Sequence, residues 1–210
     1  AALKKQEGDY FDTYFNYALN YDLRNKNFRP DEGYRNSFKQ ELPLISDNYE
    51  IVNSFESTRY QKISNMVTKI SFYGKAVNTL NNKDVRISKR LYIPSHKLRG
   101  FESGKIGPIE NNDYIGGNYV SAVNFSTTLP QILPSFQNMD FSFFVDAANV
   151  WGVDYDSAID DNTKIRSATG FAMDILTPVG PLNFSLSQPI TKNSTDKTES
   201  FRFNLGTTFR

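Results

Sequence analysis

Leu98-Arg99-Gly100-Phe101 is the stretch whose residue types point most directly to chemistry. A guanidinium is a planar fork of donors that keeps its charge and seeks a carboxylate. The glycine permits a tight bend, and the leucine and the aromatic ring anchor that bend on apolar surface. Together they suit a loop tip folded back into a cavity. Other chemistry is thinly supplied. His96 is the only histidine and cysteine is absent, so a histidine-based triad or a zinc site lacks material. Asp154, Asp156, Asp160 and Asp161 lack the glycine and terminal glutamate of an EF-hand loop and read as a solvated loop. Glu50 and Glu56 share a strand face, but a glycosidase pair needs a sugar cleft that no segment indicates. The residues therefore predict no catalytic centre, no metal and no cofactor.

The elements around this stretch are strands. Tyr10 to Asn25 alternates, with Phe11, Phe15, Tyr17, Leu19 and Tyr21 on one face and Asp12, Asn16, Asn20 and Asp22 on the other. The same rhythm runs through 34–45, 49–63 and 66–80, stops over about 81–117, and resumes through 118–129, 139–151, 165–176, the segment around Leu182 to Ser187, and 199–209. In 139–151 the alternation turns Asp140, Ser142, Phe144, Asp146 and Ala148 to the polar side. The result is an antiparallel, all-β reading of about nine strands, with the longest interruption carrying the arginine. Ser46 to Asn48 and Pro178 to Pro181 read as short turns that alternate with the longer loops 81–117 and 152–164, so the two ends of the sheet are predicted to differ.

Composition narrows the class. Seventeen Phe and twelve Tyr against one Trp favour strand formers. The mean hydropathy of −0.52 excludes a bundle of membrane helices. The net charge of +1 supplies no basic face for nucleic acid. A β-sandwich that binds a partner in solution explains alternation too. Long strands and unequal ends fit better a transmembrane barrel, apolar outward and polar inward, with short periplasmic turns and long outer loops. Such barrels carry an even number of strands in bacterial single chains, so nine predicts part of a wall. The start at Ala1, with no initiator Met, is read as that of a mature piece or fragment.

The order and spacing of five motifs resembles the C-terminal barrel of BamA-type outer-membrane protein assembly factors, the bacterial surface antigen family. These are Leu98-Arg99-Gly100-Phe101, Gly116-Gly117, Phe143 to Trp151, Thr177 to Leu182, and the closing Phe201 to Phe209. Tyr21 to Asn25 with Phe28-Arg29-Pro30 and Gly33-Tyr34 also resembles a hairpin of that family. The resemblance covers nearly the whole chain and implies the last nine strands of a barrel of about sixteen, with 1–210 as one portion and the POTRA repeats and earlier strands absent.

The resemblance implies a non-enzymatic role: folding and inserting other β-barrels in the bacterial outer membrane, with unfolded client proteins, outer-membrane lipid and assembly-complex lipoproteins as partners. It implies that Arg99 lies in the lumen and pairs with Asp146, which alternation independently turns inward. Asn124 stands where the family carries a second wall carboxylate, and is expected to accept a hydrogen bond there. Phe201, Phe203 and Phe209 match the aromatic assembly signal of the last strand, and Gly206 the point where that strand weakens. Poor pairing of first and last strands then gives a lateral gate for β-augmentation. A protein-translocating pore of the same superfamily shares the arginine-glycine-aromatic loop and is the alternative. Arg210 after the terminal aromatic departs from the pattern.

Overall fold

The computed structural model describes residue 6 and residues 8–130, 138–159, 164–178 and 180–205. Strands β1 (Asp12–Asp22), β2 (Gly33–Ser46), β3 (Glu50–Ile63) and β4 (Met66–Thr79) precede the long connection. That connection holds two short 3-10 turns and a small hairpin of β5 (Ile109–Glu110) and β6 (Asp113–Tyr114). Strands β7 (Tyr119–Thr128), β8 (Met139–Trp151), β9 (Arg166–Thr177), β10 (Gly180–Thr191) and β11 (Phe201–Leu205) follow. The long strands form one nine-stranded sheet in the order β1-β2-β3-β4-β7-β8-β9-β10-β11, antiparallel throughout. Among the described residues the only other sheet is the β5–β6 hairpin, so the second layer that a sandwich requires is not formed. β1 and β11 are the two edges and do not pair with each other.

Strand length and facing follow from the alternation. β7 has 10 residues and β2, β3 and β4 have 14 each, enough for a tilted strand to cross the hydrocarbon of a bilayer. Because successive side chains point to opposite faces, Phe15, Leu19, Phe55, Ile70, Phe72, Val123, Phe171, Leu186, Phe201 and Phe203 form an exposed apolar face. In water that face would be an aggregation surface, whereas in a membrane it is the lipid contact. The opposite face buries Glu50, Ser71, Asn124, Asp146, Ser185 and Arg202 together with Val77, Val120 and Ala168.

The long connection, 80–118, is what buries that inner face. Val85, Leu91, Ile93, Leu98, Phe101 and Ile106 from the connection join Val77, Val120, Ala122, Ala148, Val150 and Ala168 from the wall in one core cluster. Alanines on β7, β8 and β9 leave space that larger side chains would occupy. The hydrophobic core is thus made between a loop and the inside of a sheet rather than between two layers. The same loop reaches side chains on β1, β2, β3, β8 and β11, so the sheet must curve around it.

An antiparallel meander puts successive connections at alternate ends. The β2–β3, β4–β7, β8–β9 and β10–β11 junctions fall at one end, and the β1–β2, β3–β4, β7–β8 and β9–β10 junctions at the other. The expectation that Ser46 to Asn48 contrasts with the long loops is therefore corrected: this turn lies at their end.

Candidate functional site: a loop held inside the wall

The Leu98 to Phe101 stretch enters the lumen between two apolar anchors. Leu98 and Phe101 are each 2% exposed. Between them Gly100 adopts φ +88°, and a Cβ there would lie 2.9 Å from that of Ala168 and 3.3 Å from that of Ser187. Glycine is required both for the backbone angle and for the close approach to β9 and β10. Arg99 is thereby delivered to Asp146 on β8. Its Nε donates to Oδ2 at 2.7 Å and its Nη2 to Oδ1 at 2.8 Å, while its backbone N–H donates to Oδ2 at 3.1 Å. This is the bidentate fork, charge-assisted on both prongs. The guanidinium also stacks 3.4 Å from the centroid of Phe144, two residues along the same inner face.

Asn124 lies directly opposite Asp146 in the β7–β8 register. Its amide donates at 2.8 Å both to Asp146 Oδ1 and to the Lys97 carbonyl. The expected acceptor role is met from the wall, where Asn124 Oδ1 accepts from the Ser71 hydroxyl at 3.4 Å; toward Asp146 and the loop Asn124 is a donor, because the group facing its amide there is an anion. Asn124 braces the carboxylate that Arg99 uses and ties it to the loop backbone.

Further loop cations, not singled out in the sequence, reach other carboxylates. Arg86 Nη2 lies 2.8 Å from both Glu50 on β3 and Asp12 on β1. Lys89 reaches Glu41 on β2 at 3.1 Å, Lys97 reaches Glu56 on β3, and Arg90 reaches Asp154 at 2.7 Å. Burial opposes the charge on Arg86, but Glu50 and Asp12 outweigh it and raise its pKa; Glu41 and Tyr14 do the same for Lys89 against burial. The signal was present as a run of Lys83, Arg86, Lys89, Arg90, Lys97 and Arg99 against Asp84 alone. At the opposite mouth, Arg29 in the β1–β2 turn pairs with Asp140 on β8.

The remaining predicted residues separate. Phe201 and Phe203 point outward at 55% and 50% exposure and lie beside Phe184 on β10, with centroids 6.4 and 5.0 Å away. Gly206 and Phe209 lie outside the described residues. Asp154 is spent on Arg90 and on the Val85 N–H, and no group of three metal-ligating side chains occurs among the described residues. His96 lies exposed in the 3-10 turn Ser95–Lys97.

A curved antiparallel wall, apolar outside and packed inside around its own basic loop, defines a transmembrane β-barrel protein. Comparison with known proteins places it further: an Omp85 superfamily domain matches residues 1–209. The chain belongs to the Omp85 superfamily of outer-membrane proteins, and its wall is of the BamA type. It is 30% identical over 141 residues to the outer membrane protein assembly factor BamA of Neisseria meningitidis serogroup B, covering 53% of this chain and 17% of that protein. It is 26% identical over 140 residues to the human sorting and assembly machinery component 50 homolog, covering 61% of this chain and 29% of that one. The crystal structure of BamA from Haemophilus ducreyi lacking POTRA domains 1–3 superposes with a TM-score of 0.85 at 26% identity, over 93% of this chain and 42% of that one. The chain thus spans less than half the length of each of these relatives.

Proposed function

We propose that this chain is the C-terminal part of the barrel of a factor that folds and inserts other β-barrel proteins in the bacterial outer membrane, without a covalent step of its own. The observation carrying this reading is the basic loop fixed to the inner wall through Arg99 and Asp146. Membership of a superfamily whose relatives are named assembly factors and assembly machinery supports it. Its partners are unfolded client barrels, outer-membrane lipid and accessory lipoproteins. A client strand would add to an exposed edge through backbone donors and acceptors, and β11, whose described residues pair with β10 on one side, is the edge that suits it. Aromatic residues Phe201 and Phe203 hold that strand at the lipid face.

A pore that translocates protein would have to clear its lumen, and the apolar core packed between loop and wall weighs against that alternative. The test is Arg99→Ala and Asp146→Ala in the full-length protein. Client-barrel assembly should fall and protease cleavage within 80–118 should rise in both. Wild-type assembly with a protected loop in both variants overturns the reading.

A further inference from the structure

The motif at Leu98 to Phe101 touches more than β8. The Gly100 carbonyl accepts from the Glu199 N–H at 3.1 Å, and the Glu102 N–H donates to the Lys197 carbonyl at 3.0 Å. Phe101 forms an antiparallel bridge with Thr198. The Arg202 side chain, on the inner face of β11, spans the gap. Its Nη1 donates to the Ser95 carbonyl at 2.5 Å, its Nη2 to the Phe101 carbonyl, and its Nε to Glu199 at 2.8 Å. Arg202 is 8% exposed, so both carbonyls depend on it in a site largely closed to water.

We propose that Arg202, with the backbone of 198–199, couples the last strand to the lumen loop, so that the loop's hold on Asp146 also positions β11. The described part of β11 has five register pairs, all with β10, from Leu182↔Leu205 to Leu186↔Phe201. An edge strand is held by pairing on one side alone. Its start is also clamped from inside by the two residues that follow Arg99. A loop displaced from Asp146 withdraws the Gly100 and Phe101 carbonyls from Glu199 and Arg202, leaving β11 its β10 pairs only. Arg202 is thus a positioning residue: it acts on the edge strand through the loop. The inference extends the proposed function by giving the edge a regulator within the same chain.

The test is a double-mutant cycle of Asp146→Ala and Arg202→Ala in the full-length protein, reading amide hydrogen exchange of residues 201–205. Asp146→Ala alone should accelerate exchange in β11 by about tenfold although no atom of Asp146 touches that strand. Adding Arg202→Ala should change little more, because both remove one linkage. Unchanged β11 exchange in Asp146→Ala, or effects that simply add, overturns the coupling. Should Arg202→Ala fail to fold, Arg202→Lys replaces it in the cycle: it keeps a charge but loses the fork that spans two carbonyls and Glu199. Client assembly is scored in parallel. Loss of coupling with assembly still dependent on Asp146 refutes this inference alone; coupling present with assembly indifferent to Arg99 and Asp146 refutes the assembly reading alone.

Discussion

At the scale of single residues, the hold on the loop depends on matching polarity across one register pair. Asp146 is wholly buried and has three classes of donor: a guanidinium fork, a loop backbone N–H and an asparagine amide. Removing the charge while keeping the shape, Asp146→Asn, leaves the partly buried Arg99 beside a neutral group and should cost about 3–5 kcal/mol. Asn124→Leu removes one donor and orphans the Lys97 carbonyl, which should cost about 1–3 kcal/mol. Denaturant unfolding in detergent measures both, and the predicted order is Asp146→Asn worse than Asn124→Leu. An inverted order would mean that the amide, not the guanidinium, carries the anchoring. Arg99 and Asp146 were legible from sequence because a flanking motif and strand alternation converged on them. The direction of the Asn124 bond was not, because an amide both donates and accepts, and only the facing atom decides.

At the scale of elements, the connections of the long-loop end are braced on one another. Tyr155, between β8 and β9, donates to Glu110 in β5 at 2.9 Å, and Tyr114 in β6 donates to the Thr195 carbonyl before β11 at 2.5 Å. Burial, then the hydrogen bond to the Glu110 carboxylate, push the Tyr155 phenol up to about 12. A folded pKa above the usual value near 10 means that the phenol favours the fold while protonated. Its contribution is complete below about pH 10 and is lost as pH rises through about 12. Ultraviolet difference titration of wild type against Tyr155→Phe should show one tyrosine ionising that late; a difference transition near pH 10 would refute the brace. The strands were legible because a period of two survives any context that leaves one face apolar. The β5–β6 hairpin was not, because two-residue strands carry no period, and its turn depends on Asn111 and Asn112 at φ 51° and 70°. The basic run from Lys83 to Arg99 held the signal for the loop's other anchors, but pairing it with Glu41, Glu50 and Glu56 required the curvature of the sheet.

At the scale of the whole molecule, the wall has two different solvents. Its inner face is completed by its own loop, whereas its outer, apolar face suits the hydrocarbon of a membrane. Leu19, 63% exposed in the apolar band of β1, tests this division: Leu19→Arg should weaken folding into lipid vesicles by about 2–4 kcal/mol if it sits near the midplane. An unaffected folding yield would place β1 outside the hydrocarbon. Without lipid, the same face and the one-sided pairing of β1 and β11 predict aggregation of the chain in plain buffer, read by light scattering. The hairpin turn at Asn111 and Asn112 carries one more consequence. Both residues are exposed, both have the positive φ of a two-residue turn, and they belong to the long-loop end, the outward one in barrels of this kind. A foreign peptide spliced between them would leave every wall contact of the loop in place and be displayed on the living cell, where antibody labelling of intact bacteria would report which way the wall faces.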